Sequence, residues 1–303
     1  MKKTAAVGMA LLVCAALPAQ TPAAPPAWAY GVPASPAPPQ PQDDGLPKHL
    51  EGSTQAFTIA QIRDGFTIAD WFPGDHPTPP AIVLNGRRPD ARACGLCHYP
   101  NGKGRPDFRD GNRKSAETRK TNTNIMSAIA KAMTDEEMKE TAVYFGSMTS
   151  SPWISVVEAA TVPKTRLASG MFTPLDGAET EPIGARIIEM PQHPDRTELR
   201  DPRSGFVAYV PVGSIKKGEA LVETGGADRT IRCGVCHGAD LTGLGPVPGI
   251  AGRSPSYQVR QLFDMQAGTR KGVWTPLMKA VVANLTQEDR LAIAAYTASR
   301  GAR

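Results

Sequence analysis

The chain has 303 residues, of which 41% are apolar and 21% charged, enough for two small domains with linkers. Its net charge is +5, and Lys2 and Lys3 fall in a leader-like stretch, which leaves 5 − 2 = +3 for the remainder. That mild excess, with Lys and Arg not gathered among aromatics, argues against a nucleic-acid surface, and no apolar run reaches the roughly 18–20 residues of a membrane span.

Residues 1–19 read as a secretory leader. Lys2 and Lys3 supply positive charge, Ala5–Leu17 is apolar, and Ala19 precedes the cut, with Ala29 as the later alternative. Cys14 lies in the apolar stretch behind Val13, which is not the small residue a lipidation site wants. The expected localisation is periplasmic or otherwise exported. Residues 20–77 form a Pro-rich extended segment: ten of the thirty residues from Pro18 to Pro47 are Pro. So dense a tract lacks backbone donors and is neither helix nor central strand. Its later part carries Phe57, Ile59, Ile62, Trp71 and Phe72, enough apolar material to dock on the unit that follows.

Two units then resemble each other. Every cysteine beyond the leader sits in a Cys-x-x-Cys-His: Cys94, Cys97 and His98, then Cys233, Cys236 and His237. This is the c-type haem attachment pattern. Two thiols at that spacing add to the two vinyl groups of one haem, and the adjacent His falls under the ring as an iron ligand. Two disulfides would leave both His unexplained. A zinc site would need Cys pairs much closer than the 139 residues that separate these.

At the same offset of 139, Ala81–Gly86 aligns with Ala220–Gly225. Downstream, Met126–Thr134 aligns with Met278–Thr286 and Tyr144 with Tyr296, at an offset of 152. Between them Asp107–Lys114 aligns with Asp264–Lys271 at 157, so the first unit lacks eighteen residues in its middle and carries five extra after them. In the second unit the extra stretch reads as a loop and an amphipathic helix whose Tyr257, Val259, Leu262 and Phe263 cover one edge of the haem. Thr134 with Glu137, and Thr286 with Asp289, form capping boxes that start a helix in each unit. Gly86 and Gly225 mark close approaches of two helices. Residues 149–213 connect the units, with strand character at Arg186–Met190 and Gly205–Val210.

These motifs, and the run Gly249-x-Ala251-Gly252, Tyr257, Gly268-x-Arg270, Met278, Leu285-Thr286, Ala294-Ala295-Tyr296, resemble class I cytochrome c domains. The pair is similar to a tandem two-haem cytochrome c, and the likeness covers about half the chain. The resemblance implies a mainly α fold. Two class I cytochrome c-like helical domains, at 78–148 and 214–303, stand in tandem with the Pro-rich N-terminal segment and a long irregular connector carrying a few short strands.

The resemblance further implies two covalently attached haem c groups, each with a Met as second axial ligand. Met278 fills that place in the second unit and Met126 in the first; Met133 aligns with Leu285 and reads as core. The isolated His49, His76 and His193 read as solvated. Pro248 matches the proline whose carbonyl orients the axial His, Tyr257 and Trp274 line the second haem, and Arg270 pairs with its propionates or shapes a docking face. The implied function is electron transfer between redox partner proteins, donor and acceptor unknown, without catalysis. Two alternatives stay open: a two-haem peroxidase, and the cytochrome subunit of a periplasmic dehydrogenase or reductase complex. The trimmed middle of the first unit predicts an exposed haem edge there and a lower potential than in the second.

Overall fold

A computed structural model of the chain describes residues 24–30, 42–104, 124–148, 151–168, 171–270 and 272–301. Most of the leader and Pro-rich tract lies outside these residues, as do Asp107–Lys114 and Lys271.

The segment before the first unit pairs β1 (Lys48–His49) with β2 (Ala56–Phe57) and continues into α1 (Ile59–Arg63). Ile59, Ile62, Trp71 and Phe72 bury together with Leu50, and Leu199 of the connector packs on them. Trp71 is almost wholly buried, and its Nε1 donates to the Leu199 carbonyl at 2.8 Å.

The first unit consists of α2 (Ala81–Leu84), α3 (Gly95–His98), α4 (Asn124–Ala132) and α5 (Asp135–Gly146). Pro79 and Pro80 precede α2, where proline is tolerated, and the helix stops after one turn at Asn85, with Gly86 behind it in the left-handed region. Thr134 and Glu137 close both arms of their capping box at the head of α5, at 3.1 and 2.8 Å.

The connector is more ordered than its proline content suggests. It holds β3 (Ile154–Glu158), β4 (Thr161–Pro163), β5 (Thr165–Ala168), β6 (Met171–Pro174), β7 (Thr180–Pro182), β8 (Ile188–Pro191), α6 (Pro194–Glu198) and β9 (Phe206–Val210). Strand β9 lies between β3, parallel to it, and β8, antiparallel to it; β4 pairs with β7 and β5 with β6. The short strands expected in the connector are present, in larger number than the two stretches the sequence marks. The physical reason is burial: Phe206, Ala208 and Val210 alternate inward on β9 and share a core with Ile154, Ile187 and the second unit's Val259, Leu291, Ala294 and Ala295.

The second unit contains α7 (Ser214–Thr224), α8 (Gly234–His237), β10 (Gly243–Leu244), β11 (Val247–Pro248), α9 (Pro255–Gln266), α10 (Thr275–Val282) and α11 (Gln287–Ser299). Helices α7 and α11 pack face to face, and the close approach falls at Gly218: a Cβ there would sit 2.0 Å from the Ala292 carbonyl oxygen and 2.6 Å from Tyr296 Cβ. Gly86 and Gly225 instead end their helices in the left-handed region, at φ of 59° and 81°. Their expected role at a helix crossing is corrected accordingly.

Helix α9 is buried on two faces. Val259 meets the connector sheet, whereas Leu262 and Met265 meet the second unit's own core. Phe263 stacks edge-on with Tyr30, whose hydroxyl donates to Asp264 Oδ1 at 2.9 Å. Val259 and Phe263 therefore do not cover a haem edge as expected; the sheet and the 24–30 segment claim them. Ser254 caps α9 and donates to the buried Glu189 at 2.7 Å, and burial pushes the Glu189 carboxyl above its ordinary range. Among the described residues no helix is long and apolar enough to cross a membrane.

Candidate functional site

In both units the Cys-x-x-Cys-His forms one helical turn. The amide of His98 donates to the Cys94 carbonyl at 2.9 Å, and that of His237 to the Cys233 carbonyl at the same distance. One turn sets the second thiol and the imidazole beside the first thiol, the arrangement that attachment at two vinyl groups and one iron position requires. The turns then end alike. Gly238 closes the second at φ 84°, and Tyr99, aligned with it, closes the first at φ 57°, a conformation that carries strain for a residue with a Cβ. Tyr99 is buried, which holds it there.

The first turn opens on a cavity of about 430 Å³ lined by Cys94, Cys97, His98 and Met126. Phe145 forms part of its wall, with its ring 5.9 Å from that of His98. Met133, Met138 and Met148 line it as well as Met126, and Met133 and Met148 also pack on the first unit's core. The segment at 50–75 is absent from the described lining. It backs the turn from behind: Ile68 packs where a Cβ on Gly95 would stand, and the Ala93 amide donates to the Gly65 carbonyl at 2.9 Å. The rim is completed by Ser151 and Trp153 of the connector and by Gly252 and Arg253 of the second unit. Residues distant in sequence therefore contribute to the rim of the first cavity, in the unit whose middle is trimmed.

In the second unit Cys233 and Met278 pack on one apolar cluster, with Leu221, Leu241 and Leu285. Burial lifts the Cys233 thiol to about 11. The Pro248 carbonyl accepts a hydrogen bond from His237 Nδ1 at 2.7 Å. A carbonyl only accepts, so Nδ1 carries the proton and Nε2 is left as the metal-binding nitrogen. Val235, Leu244, Val273, Trp274 and Leu277 are all more than 60% exposed, and all lie on the segments that carry this site. Tyr257 is partly exposed at the head of α9. Arg270 hydrogen-bonds Gln261. Haem fits both places on this donor set: thiol pairs, an imidazole held at Nδ1 in the second unit, thioethers and apolar walls. Among the described residues no three His, Cys, Asp or Glu gather as a metal set, so the two Cys pairs do not assemble into one tetrahedral site.

His76 departs from the solvated loop expected of it. Its ring is almost wholly buried, with Nε2 3.3 Å from Asp70 and Nδ1 3.2 Å from the Tyr144 hydroxyl. That hydroxyl donates to the Pro100 carbonyl at 2.7 Å, two residues beyond His98. Arg200 of the connector donates to the Leu96 carbonyl, between the two cysteines, at 2.5 Å. No sequence signal pointed to Arg200, Arg253 or Trp153, because each is brought to the first unit from outside it.

Two turns of this kind, each with a Met on the helix before the capped C-terminal one, define a haem-attaching protein of tandem construction. Comparison with known proteins agrees. No family profile matches the chain. It is 37% identical over 76 residues to cytochrome c-554(548) of Halomonas halodenitrificans, covering 25% of this chain and 92% of that one. It is 35% identical over 81 residues to the thiosulfate dehydrogenase electron acceptor of Stutzerimonas stutzeri, covering 26% and 36%. It is 29% identical over 135 residues to cytochrome c4 of Stutzerimonas stutzeri, covering 42% and 57%. The chain thus spans about a third to just over half of the two longer relatives. It belongs to the c-type cytochromes, as a tandem two-haem member with two covalently attached haem c groups.

Proposed function

We propose that the chain is an exported, periplasmic electron carrier whose two haems are each held between a His and a Met. Cytochrome domains at 78–148 and 214–303 would carry them, on Cys94, Cys97, His98 and Met126, and on Cys233, Cys236, His237 and Met278. The observation that carries this reading is the shared placement of both ligand sets: Met126 lines the cavity with Cys94 and His98, and Met278 shares a cluster with Cys233.

When bound, each haem supplies a one-electron Fe(III)/Fe(II) couple, and a thioether ligand favours the reduced side. The chain does the rest. The cysteine sulfurs would hold each ring covalently, the Pro248 carbonyl fixes the His237 tautomer, and the Met and Phe145 wall of the first cavity would lower the polarity around its haem, each of which tunes the potential. A leader cut at Ala19 retains Trp28, Ala29 and Tyr30, which pack on the second unit's core.

The partners would be a donor and an acceptor protein. The relative named as an electron acceptor for thiosulfate dehydrogenase favours, as a second reading, a carrier dedicated to one such complex. Carbon monoxide binding to the reduced, haem-loaded chain, run beside a peroxide turnover assay, tests the reading. Two haems per chain with neither open to carbon monoxide is the expected result; strong binding at one haem together with peroxide turnover points to a two-haem peroxidase instead.

A further inference from the structure

We propose that Arg253, carried by the second unit, is a positioning residue for the first haem, and that the loop from Pro248 to Arg253 joins the two redox sites. This rests on the reading that each Cys-x-x-Cys-His holds a haem. Three cations line the first cavity, Arg92, Lys103 and Arg253, and among its described lining residues there is no carboxylate. A haem brings two propionate carboxylates, the anionic groups such a rim would pair with.

Arg253 is exposed apart from one hydrogen bond, Nε to the Gly249 carbonyl at 3.4 Å, and among the described residues it has no acidic partner. Its backbone is nonetheless firmly held. The Ile250 amide donates to the Leu241 carbonyl at 2.8 Å, and the Gly252 amide to the Thr297 carbonyl at 3.0 Å. The Arg253 carbonyl accepts from Gln258 Nε2 at 3.1 Å. A charged group on so fixed a loop has its position set before any ligand arrives, which lowers the ordering cost of the pairing.

The same loop begins at Pro248, whose carbonyl holds His237. Six residues therefore run from the axial His of the second site to the rim of the first. The loop belongs to the stretch that the first unit lacks, so the second unit lends its neighbour a piece of the missing cover.

The test is an optical redox titration of the haem-loaded full chain as wild type, Arg253→Gln and Arg253→Lys, with the second couple marked by Met278→His and haem counted in each sample. Loss of the positive charge favours the oxidised iron. Arg253→Gln is expected to lower the reduced-to-oxidised ratio of the first haem about tenfold at fixed poise, which is about 59 mV for one electron. Arg253→Lys should recover most of that ratio. An unmoved first couple in an Arg253→Gln chain that holds two haems overturns this inference alone. A wild-type chain that holds fewer than two haems overturns the underlying reading and this inference with it.

Discussion

His237, at the end of α8, and Pro248, on β11, are joined by a 2.7 Å hydrogen bond from imidazole Nδ1 to the backbone carbonyl. The bond fixes the ring's tautomer and makes it a more basic ligand, which favours oxidised iron. Pro248→Ala keeps the carbonyl but frees the backbone that aims it. The expected outcome is an upward shift of the second haem potential with the first unmoved, and a stability loss of about 0.4–1 kcal/mol from greater unfolded-state freedom. Redox titration and denaturant unfolding of the same preparation check both parts.

Gly218 holds the second unit's helix crossing. With a Cβ there only 2.0 Å from the Ala292 carbonyl oxygen, Gly218→Ala must push α7 away from α11. The obstacle is backbone, which cannot rotate aside, so a loss of about 1–3 kcal/mol or more is expected. The haem-loaded protein should unfold at lower denaturant with its first-haem spectrum intact. An equal loss from Gly86→Ala would not be of this kind, since that position fails through its positive φ rather than through a crossing.

Tyr144 ties the last helix of the first unit to the chain just beyond His98. Its hydroxyl donates to the Pro100 carbonyl at 2.7 Å, and burial pushes its pKa from 10.0 up to about 12. The folded chain therefore keeps this proton where the unfolded chain has released it. With the native state binding more protons between about pH 10 and 12, stability falls as pH rises through that window. Tyr144→Phe should cost about 1–2 kcal/mol at neutral pH, by leaving the Pro100 carbonyl unpaired, and should flatten the decline above pH 10. Urea unfolding midpoints across pH 7 to 12 would show both.

What the sequence made legible is local. The two Cys-x-x-Cys-His turns, the boxes at Thr134 and Thr286, and strands near Ile188–Pro191 and Phe206–Val210 each depend on residues a few positions apart, and each has its counterpart in the fold. What stayed hidden depends on distant pairing. Strand β3 finds β9 some fifty residues later, and nothing in Ile154–Glu158 announces that partner. The amphipathic pattern of α9 marks Val259 as apolar-facing, but amphipathicity does not say which of two cores an apolar residue enters. His76 looked like a loop histidine until Asp70 and Tyr144 closed around it. The rim of the first cavity was the least legible part, since Trp153 and Arg253 come from a connector and from another unit.

The central claim is that each haem sits between a His and a Met, with Met126 and Met278 as the Met ligands. Four methionines line the first cavity, so that assignment is the sharpest point to test. The most direct measurement is the methionine-ligation signal in magnetic and optical spectra of the oxidised wild type, Met126→Ala and Met278→Ala, with two haems counted per chain. Two Met-ligated haems are expected in the wild type, with the loss of one, a different one, in each variant. A Met126→Ala protein that keeps both Met-ligated haems would contradict that claim.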